Sequence, residues 1–228
     1  MNKLYSLLLV IILSSCTAVI PPKELPLGAW KYRLYINGIK SGTASMSIAQ
    51  KDNTYVSTLT LALKQGFKKY HSHQIVIENL DGSPVYLEID NINEDKNKKF
   101  RLRTKTYFRG NSVRVITEKN NATVELRKQP HIDGVFFMLN LIKRDFKIGT
   151  EIKTNLYDPT VEVEETIPAS MKVIGFDRHR IRGSLRKLIH LRMNIDGIRS
   201  TDIFINEKGI RDLIIIKMLN NTINLVRQ

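Results

Sequence analysis

Residues 28–48 read GAWKYRLYINGIKSGTASMSI. Trp30, Tyr32, Leu34 and Ile36 recur every second residue, with Lys31, Arg33 and Tyr35 between them, and Asn37-Gly38 follows. Alternation with period two is the signature of a strand buried on one face, and Asn-Gly is a hairpin signal. Ala44, Met46 and Ile48 resume the period. The stretch therefore predicts an antiparallel hairpin with one apolar face.

The pattern continues in both directions. Tyr55, Leu59, Leu61 and Leu63 alternate with Val56, Thr58, Thr60 and Ala62 after a turn at Lys51-Asp52-Asn53. Further strands are expected near 69–79, 84–90, 99–108, 112–118 and 122–128, separated by Asp81-Gly82-Ser83-Pro84, the polar stretch Asn91 to Lys98, Gly110-Asn111 and Lys119-Asn120-Asn121. One segment breaks the rhythm. Asp133 stands at an N-cap position, and Val135, Phe136, Leu139 and Ile142 suit a short helix that is apolar around most of its girth. Lys143-Arg144 fall in its last turn and Gly149 marks its exit. Strands resume over 150–157, 160–166, 170–176, 185–196, 199–206 and 210–218, with a last apolar stretch to Val226. The expected fold is mainly β: a meander of antiparallel strands interrupted by one short helix. Residues 29–228 read as one β-rich domain, or as two packed halves joined near 130–148.

Composition narrows the function. The chain has 228 residues, 42% hydrophobic and 25% charged, close to the globular average, and a net charge of +14. One cysteine, Cys16, cannot form an internal disulfide, a cysteine-based zinc site or a CxxC redox pair. Lys3, the apolar run Leu7–Leu13 and then Ser14-Ser15 form the parts of a secretory signal. The run is too short for a bilayer, which needs about 20 apolar residues. Leu13-Ser14-Ser15-Cys16 resembles the lipobox of bacterial lipoproteins. That resemblance implies a signal peptide over 1–15, a lipid on Cys16 and a lipidated tether over 16–28, where Pro21-Pro22 and Pro26 lie. It places the protein in the cell envelope, on the outer membrane facing the periplasm if the host is Gram-negative, since Thr17 rather than Asp follows the cysteine. A secreted protein with a free thiol and an uncleaved membrane anchor are the other two readings.

Gly28-Ala29-Trp30 leading to Gly42 resembles the opening strand pair of β-rich envelope domains found ahead of secreted transglutaminase-like domains. Asp133-Gly134-Val135-Phe136-Phe137, Phe146-Lys147-Ile148-Gly149, Asn194-Ile195-Asp196-Gly197 and the Ile203–Gly209 hairpin are similar to an uncharacterised family of periplasmic β proteins. These resemblances imply a mainly β fold, a curved antiparallel sheet or half-barrel with one short helix, and lend no catalytic residue.

Several constellations are candidates for chemistry. His71-Ser72-His73 puts two imidazoles on one strand face, at a spacing that can share a metal, with Ile75 and Ile77 continuing that face; a polar flank is the simpler reading. Glu162, Glu164 and Glu165 read as an exposed strand edge, with Val161 and Val163 pointing inward. Metal and cofactor are expected to be none, and no nucleophile elbow, P-loop or dinucleotide fingerprint occurs. The cations carry more. Lys99, Arg101, Arg103 and Lys105 alternate with apolar or small residues, which sets four positive charges in a row on one strand face. Arg178, Arg180, Arg182, Arg186, Lys187 and Arg192 form a second group. A basic domain first suggests nucleic acid, but export favours anionic lipid headgroups or an acidic envelope polymer. The expected function is a non-enzymatic envelope lipoprotein, membrane-bound through its lipid anchor, holding an amphiphilic anionic ligand in the concave face. The alternative is an interaction module docking an envelope protein or acidic wall polymer. An open apolar interior favours the first and a filled one the second.

Overall fold

The structure is a computed structural model that describes residues 20–96, 98–218 and 220–228. Turn residues cut the chain at most of the places the sequence predicts. The strands are β1 (Gly28–Ile36), β2 (Ile39–Lys51), β3 (Thr54–Gln65), β4 (Lys68–Asn79), β5 (Pro84–Asp95), β6 (Lys98–Arg109), β7 (Ser112–Thr117) and β8 (Asn121–Glu125). The helix α1 (Phe136–Ile142) follows, then β9 (Glu151–Leu156), β10 (Ile167–Ile181), β11 (Ser184–Ile195), β12 (Arg199–Ile205), β13 (Arg211–Met218) and β14 (Asn221–Arg227). All belong to one 14-stranded sheet in the order β8-β7-β6-β5-β4-β3-β2-β1-β14-β13-β12-β11-β10-β9. The strand pairings are antiparallel, and the first and last strands meet in the middle of the sheet through Tyr32↔Arg227 and Leu34↔Leu225. The sheet is curved and does not close, because β8 and β9 are its two edges.

Period-two alternation gives the sheet a concave apolar face, and α1 lies against it. Tyr32, Leu34, Ala44, Leu191, Ile203, Ile205, Ile214 and Leu225 from the strands form one buried cluster with Val135, Phe137, Met138 and Leu141 around the helix. Burying each such side chain contributes roughly 1.5–3 kcal/mol. Seven residues are too few for a helix to hold itself in water, so α1 exists because the sheet buries it.

The gap between the edges is bridged. His131 makes a parallel bridge to Leu156, with its N–H donating to Asn155 O at 2.9 Å and its carbonyl accepting from Tyr157 N–H at 2.7 Å. Tyr157 then packs edge-on against Phe108 of β6 at 5.7 Å between ring centres, and joins Val113, Val115 and Leu126 in a small core.

Four local expectations are corrected. Asp133 does not cap the helix: Val135 is the N-cap residue and no side chain of the cap bonds to the helix. Asp133 instead pairs with Arg199 at 2.8 Å, and the capping oxygen comes from Glu78 of β4, which accepts the Val135 N–H at 2.6 Å. Lys143 is the C-cap, so no cation lies in the last helical turn. Residues 160–166 are turn and bend, because Asp158 accepts the Thr160 N–H at 2.9 Å and its carbonyl accepts the Glu162 N–H. Val161 is exposed there. The polar stretch from Asn91 is also no turn: β5 runs on to Asp95 and pairs with β6 throughout.

Candidate ligand cavity and charged faces

Beside α1 the concave face keeps a cavity of about 230 Å³, several times the roughly 30 Å³ that one water occupies in the liquid. Its walls are Leu34, Leu59, Leu61 and Leu63 on one side and Ile214, Ile216, Ile223 and Leu225 on the other, with Met138 from the helix as a third wall. These positions follow from register. Leu59 faces Met46, Leu61 faces Ala44, Ile214 faces Leu225 and Ile216 faces Ile223.

A few polar groups interrupt this lining. Ser57, Thr201, Arg199 and Arg211 reach it. Ser57 Oγ, Thr201 Oγ1 and Arg199 Nε are buried with no hydrogen-bond partner among the described residues. Arg199 is held by Asp133. Arg211 has no carboxylate within 4.0 Å among the described residues, and its nearest recorded polar contact is Met46 Sδ at 4.0 Å. Tyr32 lies close by; burial pushes its hydroxyl up to about 12, although Arg211 and Arg227 pull the other way. The set suits a ligand with an apolar body and one polar or anionic end.

Glu78 lies buried beneath Gly134, at the start of the helix. Burial pushes its carboxyl up to about 8, against the Val135 and Phe136 N–H groups that favour the charged form. Glu78 Oε1 has no hydrogen-bond partner among the described residues. A Cβ at position 134 would lie 2.0 Å from Glu78 Oε2, so any larger residue there must push that buried carboxyl aside.

The cationic row predicted on β6 does form one face, but β5 answers it. Lys99 pairs with Glu94 at 3.2 Å, Arg101 with Asp90 and Arg103 with Glu88. Lys105 alone of the four has no carboxylate within 4.0 Å among the described residues. Burial opposes ionisation of Glu88, yet the Tyr86 hydroxyl and Arg103 still hold its carboxyl below the usual range. The second cationic group is split. Arg186 reaches Asp212 at 3.5 Å and Arg192 reaches Asp202 at 2.7 Å, whereas Arg178, Arg180, Arg182 and Lys187 have no such partner among the described residues.

His71 and His73 are exposed, and His73 Nδ1 meets Thr60 Oγ1 at 2.9 Å. No group of three or more potential metal ligands occurs among the described residues. Glu162, Glu164 and Glu165 lie in the turn region before β10 and make no shared site. Cys16 and the signal-like segment before it lie outside the described residues.

One constellation was missed from sequence. On the convex face His190 stacks on Phe204 at 4.5 Å, with Nδ1 2.8 Å from Asp177 Oδ2 and Nε2 2.9 Å from Asp202 Oδ1. Lys217 also reaches Asp202, at 3.3 Å. Burial works against the Asp202 carboxylate, but its bonds from Arg192, His190 and Lys217 hold it down to about 2. The available signal was an acid interrupting the apolar strand Arg199–Ile205. His190 and Asp202 are buried, so the knot braces β10, β11, β12 and β13 together.

No family model matches the chain, and no curated protein matches it in sequence. Among solved structures it is similar to a β-barrel-like protein of a domain of unknown function, DUF1849, from Brucella abortus: TM-score 0.65, 10% identity, covering 88% of this chain and 94% of that one. A DUF1089 family protein from Pseudomonas aeruginosa overlaps at TM-score 0.38 and 9% identity, covering 83% and 90%. At such identity the first likeness speaks for the fold alone, a barrel-like β domain.

Proposed function

We propose that this protein is a non-enzymatic, lipid-anchored envelope protein that carries an amphiphilic anionic molecule in its concave face. The observation that carries the reading is the cavity beside Met138: a helix already occupies the concave face, and the remaining space is lined mostly by apolar side chains, with Arg211 a cation that has no carboxylate partner among the described residues. A sheet built only as scaffold gains from filling such a space, because each missing contact costs stability. Apolar walls with few convergent polar groups are the usual make-up of a ligand site.

In this reading Leu34, Leu61, Ile214 and Leu225 take the acyl part, while Arg211 and the free hydroxyls of Ser57 and Thr201 take the polar end. The lipobox-like Leu13-Ser14-Ser15-Cys16 supplies the anchor, on the outer membrane facing the periplasm if the host is Gram-negative. Two or three acyl chains hold a protein far more firmly than one, at about 0.8 kcal/mol per buried CH₂.

Titration with dansyl-undecanoic acid tests it directly. The wild type should enhance the probe's fluorescence saturably, and lipid should be extractable from protein purified without detergent. Ile214→Trp, which fills the cavity, should abolish the enhancement. Arg211→Gln should weaken the carboxylate probe about tenfold, about 1.4 kcal/mol, while leaving its methyl ester unaffected. No saturable binding and no co-extracted lipid would sink the reading.

A further inference from the structure

The β10–β11 hairpin outruns its neighbours. Strand β9 ends its pairing at Lys172↔Glu151 and β12 at Ile189↔Ile205, so the rungs from Asp177↔Leu188 to Ile181↔Ser184 have no strand on either side. A register shift between Val173 and Gly175 bends the ladder, and Gly175 sits at φ 154, backbone that side-chain-bearing residues rarely adopt. One face of the tip is pressed onto the convex side of the sheet: Ile181 and Leu188 pack with Phe204 and Leu213, and the His179 ring lies 4.1 Å from that of Phe204.

Strand alternation then turns the other face to solvent. Phe176, Arg178 and Arg180 stand on it, with Lys187 opposite Arg178 and Leu185 opposite Arg180. Phe176 is 40% and Leu185 63% exposed, and Lys187 Nζ lies 5.0 Å over the Phe176 ring. Arg182 sits in the turn. This differs from the β6 row, whose Lys99, Arg101 and Arg103 are matched by carboxylates of β5. Among the described residues, no carboxylate lies within 4.0 Å of Arg178, Arg180, Arg182 or Lys187.

We propose that this exposed hairpin face docks the protein on an anionic lipid bilayer, its cations on the phosphates and Phe176 and Leu185 in the headgroup–acyl boundary. Cations attract the anionic surface, and interleaved apolar side chains, which have nothing to donate or accept, gain only where an apolar layer lies beneath the charge. Position agrees. Turns of an antiparallel sheet alternate between its two rims, so the β10–β11 and β12–β13 turns share one rim. The N-terminal segment arrives there too, with Pro26 Cδ and Pro22 Cβ 3.2 and 3.3 Å from where a Cβ on Gly209 would sit. The proposal rests on the envelope reading only for the presence of a bilayer; the hairpin's chemistry does not involve the cavity.

Vesicle co-sedimentation of the full chain tests it, with phosphatidylcholine alone against phosphatidylcholine plus phosphatidylglycerol. The N-terminus stays constant, so the apolar run Leu7–Leu13 contributes equally to every variant. Wild-type binding should rise at least about tenfold on the anionic vesicles and fall with salt. R178E/R180E/K187E should lose that increment while keeping dansyl-undecanoic acid binding, which separates this proposal from the cavity reading. K40E/K64E, on the opposite rim, lowers the net charge by four against six for the hairpin variant and should retain the increment. F176Q/L185Q, which leaves the charges in place, should weaken binding to anionic vesicles without altering the melting temperature. An R178E/R180E/K187E variant that binds as wild type, or loss of the increment in K40E/K64E, overturns the proposal. So does preferential binding to duplex DNA over anionic vesicles.

Discussion

Glu78 shows what a single residue can hide. Its position in β4 gives no hint that its carboxyl reaches a helix more than fifty residues later in the chain, where it accepts the Val135 N–H. Asp133 reads as the cap from local spacing, but the helix start is set by a long-range contact that no window of sequence contains. Burial raises the Glu78 carboxyl from an ordinary 4.5 to about 8. The folded state therefore holds this proton more tightly than the unfolded chain. Its contribution to stability is complete below about pH 4.5, falls progressively above that, and is lost as pH rises through about 8, with a slope near 1.4 kcal/mol per pH unit at most. Melting temperature should decline between pH 6 and 9 in the wild type, and that decline should flatten in Glu78→Gln, whose amide oxygen can still accept from Val135. Equal pH slopes in the two proteins would show that Glu78 is ionised in the fold. Removing the acceptor altogether, as in Glu78→Ala, strands a buried N–H and should cost about 1–3 kcal/mol.

At the scale of elements, strands were legible and their partners less so. The alternation of Trp30, Tyr32, Leu34 and Ile36 around Asn37-Gly38 gives strand, turn and buried face together, and the observed β1–β2 hairpin keeps all three. The β6 row likewise forms the predicted face. Its neutralisation depended on β5 continuing through Asn91–Asp95, a stretch polar enough to read as a loop. That stretch forms strand because outward acids of β5 meet the cations of β6: Glu94 pairs with Lys99 directly opposite in register, while Asp90 and Glu88 reach diagonally to Arg101 and Arg103. Glu88 is the most buried of these acids. Its carboxyl is held low in the fold, so its share of stability is present above the unfolded value of 4.5 and fades as pH falls below it. Arg103→Ala should thus destabilise the protein by roughly 1–3 kcal/mol at pH 7, since it leaves that carboxylate short of a donor. The loss should shrink near pH 3, where the carboxyl is protonated. Urea melts of wild type and variant at both pH values measure this; a deficit independent of pH would mean that Arg103 acts through packing of its stem.

The whole molecule is organised by a pairing that a reading along the chain does not give. β1 and β14 zip together at the centre of the sheet, so the two runs of strands, β1–β8 and β9–β14, are halves of one sheet. The open edges are stitched by Tyr157 on Phe108 and by the His131–Leu156 bridge. Periodicity predicts strands with one apolar face, but how the two edges approach each other is settled by contacts between residues far apart in sequence. The same pairing brings the ends together, with the Gln228 N–H donating to Lys31 O at 2.8 Å. Joining Gln228 to Gly28 through a short glycine-serine linker and opening the chain between Gly66 and Phe67 leaves every residue of the sheet present and breaks only a tight turn, since Gly66 and Phe67 are both exposed. This permutant should fold to the same circular-dichroism spectrum and bind dansyl-undecanoic acid as the unpermuted chain does. Opening instead between Val135 and Phe136 should fail, because it frees α1 from the segment that ties it to Glu78 and to β9. If the first permutant does not fold, or the second folds as well as it does, then the central β1–β14 seam is not what holds the halves together.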